Sequence, residues 1–273
     1  MLSVDSLYIY PVKGVRAVSI PRVSLRLRGP EHDRRWLITD EDGRFITQRQ
    51  HGVLATITVV PGEDGLTLSA PGQDDLRVAI PVGETRHKIV VWKDSVNALE
   101  ADARAGAWLS EVIGIKVRLF FMDTSADRTT SGRWGPRSPV SFADGYPLLV
   151  TTTASLDALN DEIEESGGDR IGMNRFRPNI VINCDAPWAE DNWGALAIGG
   201  TVIDLVKPCI RCGVTTRDQQ TGERQSKEPL KTLARLRRAE DPRLSGVSFG
   251  WNATVRTPGT LSQGDHVQVL GND

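Results

Sequence analysis

Apolar and polar positions alternate at period two through most of this chain. Residues 6–12 form a short apolar run stopped by Pro11 and followed by Lys13-Gly14. Residues 18–20 and 23–27 alternate as half-buried strands do. Residues 36–39 lead into the turn signal Asp40-Glu41-Asp42-Gly43-Arg44, and residues 45–47 return, which predicts a hairpin. Residues 54–60 and 66–68 flank another glycine-containing turn, and residues 88–92 predict a further strand. The first ninety residues therefore read as a strand-rich unit.

The period lengthens to that of a helix near residues 102–113. There Trp108 and Val112, and Leu109 and Ile113, are four apart, and Gly114 stands where a C-terminal cap is expected. A second helix is predicted from about Thr153 to Glu165, with Leu156, Leu159 and Ile163 on one face and a Ser or Thr as N-cap. A third begins at Glu228-Pro229-Leu230, with Leu233 and Leu236 following. Residues 179–182, 201–206 and 266–270 read as strands. The stretch 123–145 is polar and rich in Gly, Ser, Arg and Pro, as a junction or mobile loop would be. These signals give an α+β, mostly β chain. It divides into residues 1–122, a β domain with a helical connection, and residues 123–273, a larger β-rich domain with a few helices.

Composition adds mainly exclusions. Of the 273 residues, 39% are hydrophobic and 25% charged, with a formal net charge of -2. No global basic field draws the chain to nucleic acid or an anionic membrane. The N-terminus lacks a basic start and a long apolar core, and no apolar run approaches the ~20 residues of a membrane span. Three cysteines are an odd number, which argues for thiols in a reducing compartment, so the expectation is a cytoplasmic protein. A monomer is expected as a separate matter.

Two of those three cysteines lie in Lys207-Pro208-Cys209-Ile210-Arg211-Cys212-Gly213. Four readings are open. Structural zinc needs four N or S ligands, but there is no second C-x-x-C, and His32, His51, His87 and His266 are scattered. A thioredoxin-like dithiol expects a helix after the motif, whereas β-branched residues and a turn at residues 219–222 follow here. Buried cysteine as a small hydrophobe is the plain structural reading. The fourth is a single thiolate on a soft or redox metal, with Arg211 holding an anionic group. Arg175-Phe176-Arg177-Pro178-Asn179 adds weight to this last reading. Two arginines two apart in a strand share a side, and Pro178 biases Arg177 to an extended backbone. Guanidinium forks suit phosphate, and an Asn amide suits the edge of a heterocycle. Lys13 and Asp33-Arg34-Arg35-Trp36 lie beside turns, where functional residues collect, while tryptophans such as Trp188, Trp193 and Trp251 read as core.

In order, Tyr10-Pro11-Val12-Lys13-Gly14, Asp33-Arg34-Arg35-Trp36, Phe176-Arg177-Pro178-Asn179-Ile180 and Pro208-Cys209-Ile210-Arg211-Cys212 resemble the two-domain MOSC proteins. These share the domain found at the C-terminus of molybdenum cofactor sulfurases. Nearest in layout are the mitochondrial amidoxime-reducing components and their bacterial relatives. The resemblance covers nearly the whole chain. It implies an N-terminal MOSC-type β-barrel-like domain, a β-rich MOSC domain and a molybdenum cofactor (Mo-molybdopterin). By position it implies Cys212 as the metal ligand and catalytic residue, with Cys209 as its neighbour. It implies cofactor contacts from Lys13, Arg34, Thr152, Thr153, Arg177, Asn179, Arg211 and Asn252.

The sequence departs from the mitochondrial pattern at three positions. Gly14 and Ile210 replace small hydroxyl residues, and Asn252 replaces an aromatic hydroxyl. With no cysteine after Cys212, no iron–sulfur domain is expected. The implied activity is reduction of small N-hydroxylated substrates. Electrons would come from a separate protein of ferredoxin, flavodoxin or cytochrome type with its reductase. Two alternatives stand beside it: a cofactor-binding or sulfur-carrier module, and a zinc or dithiol protein without a pterin.

Overall fold

The computed structural model describes residues 1–271. The last two positions of the expected 123–273 unit therefore lie outside the described residues. The first half holds β1 (Ser3–Ile9), β2 (Val18–Ile20), β3 (Arg22–Arg26), β4 (Gly29–Pro30), β5 (Trp36–Thr39), β6 (Thr58–Gly62), β7 (Gly65–Ser69), β8 (Leu76–Ala79), β9 (His87–Val91), β10 (Asp94–Glu100), α1 (Ala103–Ile113) and β11 (Arg118–Phe121). The second half holds β12 (Leu148–Thr152), α2 (Thr153–Glu165), β13 (Ile180–Asn183), β14 (Ala195–Ile198), β15 (Thr201–Ile210), α3 (Leu230–Leu236), β16 (Ser248–Thr257), β17 (Gly259–Ser262) and β18 (Val267–Leu270). The α+β, mostly β architecture follows the alternation in the sequence.

Helix ends sit where the local signals put them. Asp102 caps α1 by accepting the Arg104 N–H at 2.8 Å, and Gly114 closes it with φ 81°, a left-handed value natural to glycine. Ala105, Leu109 and Ile113 form its buried stripe. Thr152 caps α2 by accepting the Ser155 N–H.

Eight strands form the largest sheet, in the order β18-β14-β15-β16-β12-β13-β1-β2. β12 and β13 are parallel and joined through α2, which covers them. β1 and β2 come from the start of the chain, so this sheet crosses the division at residue 122. Leu7 of β1 pairs with Ile180 of β13, and β3 pairs with β17. A register shift between Val4 and Ser6 lets Val4, Leu7 and Ile9 all face the core despite their odd spacing. Separate sheets β5-β11-β10-β9 and β6-β7-β8 enclose the cores packed on α1 and on Phe120.

Several local expectations change. Residues 54–60 are not one strand: Gly52–Thr56 is a 3₁₀ turn, and β6 starts only at Thr58. Arg175 and Arg177 do not share a strand side. Arg175 ends a 3₁₀ turn at Met173–Arg175, and Arg177 is left-handed at φ 58° rather than extended. The polar stretch 123–145 is held rather than loose. Buried Arg128 donates to the Ser141 carbonyl at 2.7 Å and to Asp94 at 2.8 Å, and Phe142 is fully buried.

Residues 217–224 form a strap from the second half of the chain to the first. Arg217 donates to the Arg49 carbonyl at 2.9 Å, and Arg16 donates to the Gln220 carbonyl at 2.9 Å. Gly222, at φ 75°, lies backbone to backbone against Gly52, so a Cβ at either would land on the other's carbonyl oxygen. Gly222→Ala is expected to destabilise by about 3 kcal/mol, since it adds a steric clash to a left-handed alanine. Gly72, at φ 76°, faces open space, so Gly72→Ala should cost only about 1 kcal/mol. Denaturant unfolding of the two variants checks this. Equal losses would mean that the strap contact does not matter.

Candidate functional site: a cationic cleft with two cysteines

One cleft, with about 910 Å³ of space open to solvent, draws its walls from both halves of the chain. The first half supplies Lys13, Arg34, Phe45, Arg49 and Trp92; the second supplies Asp144, Arg177, Cys209, Arg211 and Cys212, among others. Five cationic side chains and a single carboxylate line it.

Its floor is organised around Tyr10. This ring is 1% exposed and donates its hydroxyl to the Pro178 carbonyl at 2.9 Å. The Arg34 and Arg177 guanidiniums lie 4.3 and 4.2 Å from its centroid. Both arginines have left-handed backbones, φ 46° and 58°, a strained conformation that persists only where the surroundings impose it. Buried Asp33 accepts from Arg34 at 2.6 Å and from the Tyr10 N–H at 2.8 Å. Asn179 is only 2% exposed, and its amide is engaged by the protein itself. Its oxygen accepts from Arg34 at 2.9 Å, and its nitrogen donates to the Tyr8 carbonyl and to Asp33. Asn179 therefore positions Arg34. Burial works against the charge of Arg34, but Asp33 and its neighbours outweigh it and hold Arg34 above its ordinary pKa. Arg177 is pushed down to about 10 by burial and by the like charge of Arg34, and stays protonated at neutral pH. Its guanidinium also donates to Gln219 of the strap at 3.3 Å.

The cysteines stand at the end of β15. Cys209 is half-buried, and its sulfur accepts an N–H from Arg211 at 2.8 Å. The other Arg211 fork donates to the Phe176 carbonyl at 2.6 Å, while its Nε is buried with no protein partner. Cys212 is exposed and opens a 3₁₀ turn, Gly213–Thr216, in place of a dithiol helix. Asn252 of β16 faces Lys207 of β15 in register and lines the same cleft. Thus Lys13, Arg34, Arg177, Asn179, Arg211, Cys212 and Asn252 are brought together.

Thr152 and Thr153 are not among the lining residues. Four residues along β12 from lining Leu148, Thr152 lies about 13 Å away. Its hydroxyl bonds Glu190 at 3.0 Å, and Thr153 donates to the Cys184 carbonyl. The end of β12 that faces the cleft is the other one.

Asp144, Trp92, Phe45 and Arg49 are wall residues that local sequence signals did not single out. Asp144 lies in the polar 123–145 stretch, the one cue available. Its carboxylate pairs with the Lys13 ammonium and accepts the Trp92 Nε1–H at 3.3 Å. The Lys13 side chain is buried, whereas that of Asp144 is exposed. Burial lowers the pKa of Lys13 and Asp144 counters it. For Asp144, crowding works against ionisation, but Lys13, Trp92 and Arg34 together hold the carboxyl well below the usual range.

Physically, a cationic cleft holding an exposed thiol suits a polyanionic ligand and a soft metal. Among the described residues no group of three His, Cys, Asp or Glu is placed to hold a metal unaided. No helix among them is long and apolar enough to cross a membrane.

Family models match along most of the chain. The MOSC N-terminal beta barrel domain matches residues 1–116, and the MOSC domain matches residues 137–268. Human mitochondrial amidoxime-reducing component 1 is 33% identical over 288 residues, covering 98% of this chain and 83% of that protein. The chain belongs to the MOSC family. Human mitochondrial amidoxime reducing component 2 is 32% identical over 282 residues, covering 97% of this chain and 82% of its own length. Rice molybdenum cofactor sulfurase is 29% identical over 286 residues, which is 98% of this MOSC chain but 35% of the sulfurase.

Asp144→Asn leaves the buried Lys13 ammonium without its carboxylate and should cost about 1–3 kcal/mol. Because the folded carboxyl titrates below its unfolded value of about 3.9, the pair's stabilisation is complete above that pH and is lost only as pH falls further. The wild-type minus variant difference should therefore stay constant from about pH 7 to 5 and shrink only below about pH 4. Unfolding curves across pH check this; a difference already gone at pH 5 would contradict it.

Proposed function

We propose that this MOSC protein is a molybdenum–pterin-dependent oxidoreductase that reduces N-hydroxylated compounds. The observation that carries the reading is the exposed Cys212 at a cleft lined by Lys13, Arg34, Arg49, Arg177 and Arg211. The names of the amidoxime-reducing relatives point the same way. The residues fit the cofactor. Cys209 Sγ is occupied by Arg211, which leaves Cys212 as the thiolate available to a metal. The unpartnered Arg211 Nε and the excess of cations over carboxylates suit a phosphate-bearing ligand.

In this reading Cys212 holds molybdenum, and Lys13, Arg34, Arg177 and Arg211 hold the pterin and its phosphate. Asn179 keeps Arg34 in place, and Asn252 borders the cofactor on the β16 side. Thr152 and Thr153 take no part. When bound, the cofactor supplies two-electron chemistry able to remove the oxygen of an N–OH group. Each turnover consumes two electrons and two protons and yields N–H and water. Protons reach the open cleft from solvent, and electrons come from a separate redox protein of ferredoxin, flavodoxin or cytochrome type. The protein's own contribution is to orient the substrate and to stabilise charge. A sulfur-carrier role is the second reading, favoured by the sulfurase relative and by two cysteines in one cleft.

The test is reduction of benzamidoxime by protein from a host that makes the pterin cofactor, with reduced viologen as donor. Wild type should turn over, and Cys212→Ala should fall by about 100-fold or more. Metal-loaded protein that reduces no N-hydroxylated compound would overturn the reductase reading. A persulfide on Cys209 or Cys212 without metal would favour the carrier.

A further inference from the structure

Trp92 occupies a costly position. It begins the two-residue turn between β9 and β10, where Val91 pairs with Asp94. Such turns need left-handed backbones and favour Asn or Gly. Trp92 sits there at φ 58°, a strained conformation for a bulky residue. Nor does burial compensate for that strain. At 44% it is the one exposed aromatic side chain among the described residues, and it faces the cleft.

The ring is nevertheless fixed. Phe45 lies 4.9 Å away, tilted by 60°. The Arg49 guanidinium is 5.0 Å from the Trp92 ring, and the indole N–H reaches Asp144. The turn therefore presents a flat π surface, braced from two sides, on the wall of the cleft that contains the cysteines. The cations of the cleft suit anionic groups, whereas Trp92 is its one exposed ring, with Tyr146 half-buried and Phe176 fully buried.

We propose that Trp92, braced by Phe45 and Arg49, is the specificity-determining wall of this cleft, on which flat aromatic substrates stack in preference to small aliphatic ones. The inference rests on the reductase reading for its substrates but not for its geometry. Stacking of a flat ring on an aromatic side chain is worth about 1–3 kcal/mol, so its loss should be visible as roughly tenfold.

The variants are Trp92→Gly and Trp92→Phe in the molybdenum-loaded protein. Glycine relaxes the left-handed turn while removing the ring, so unfolding is not expected; phenylalanine keeps a ring but loses the N–H. The first readout is the ratio of kcat/KM for benzamidoxime to that for acetamidoxime, its small aliphatic counterpart. Trp92→Gly should lower this ratio about tenfold, mainly through KM for benzamidoxime, and Trp92→Phe should restore most of it. The second readout is calorimetric binding of benzamide, an uncharged flat ring that needs no turnover; it should weaken about tenfold in Trp92→Gly only. A ratio and an affinity within about twofold of wild type in Trp92→Gly would overturn the proposal. Equal loss in both variants would assign the effect to the Asp144 hydrogen bond and overturn stacking. If wild type reduces neither compound, the reductase reading fails, and benzamide binding alone decides the role of Trp92.

Discussion

The contact on which the rest depends is the buried Tyr10 ring carrying two guanidiniums. Tyr10 and Arg34 come from the first turns of the chain and Arg177 from its middle, so this cluster joins segments far apart in sequence. A desolvated cation over an aromatic face is worth about 2 kcal/mol, but two like charges at one ring repel. Asp33 neutralises one of them, and Asn179 locks the pair by bonding Asp33, Arg34 and the Tyr8 backbone together. One positive charge is left over, aimed at the cleft. That residual charge, with Lys13, Arg49 and Arg211 nearby, makes the cleft a place for an anion.

The same cluster explains why the sheets do not respect a division near residue 122. β1 must run beside β13 for Tyr10 to reach Pro178, and the 217–224 strap crosses in the opposite direction to reach Gly52. Each half thus completes the other's edge. The wall residue Gln48 and Gln219 of the strap exchange amide hydrogen bonds across that seam, beside Arg177. A cleft built this way has its shape set by long-range contacts, and its geometry is no more stable than they are.

What was legible in the sequence is what local chemistry writes. The end of α1 at Gly114 and the start of α2 at a Ser or Thr cap, which is Thr152, follow from the sequence, because caps act within a few residues. The Cys209–Cys212 pair and the arginines around it were visible as residue types suited to soft metals and phosphate. Pairing of β1 with β13 was not visible, since strand register depends on partners more than 170 residues away. The left-handed backbone of Arg177 runs against the extended bias that Pro178 imposes; there its N–H donates to the Asn174 carbonyl and its guanidinium meets the Tyr10 ring and Gln219. The resemblance implies Thr152 as a cofactor contact, but β12 lines the cleft with its opposite end, at Leu148 and Leu149. Trp92 read as a strand terminus, and nothing local marks it as an exposed ring on a strained turn.

The most direct test of the central claim is metal and pterin content in protein from a host that makes the cofactor, for wild type, Cys212→Ala and the Arg34→Ala/Arg177→Ala double variant. Near-stoichiometric molybdenum and pterin are expected in wild type, with loss of metal without Cys212 and loss of both without the two arginines. Molybdenum retained in Cys212→Ala, or wild-type protein carrying zinc or persulfide and no pterin, would contradict that claim.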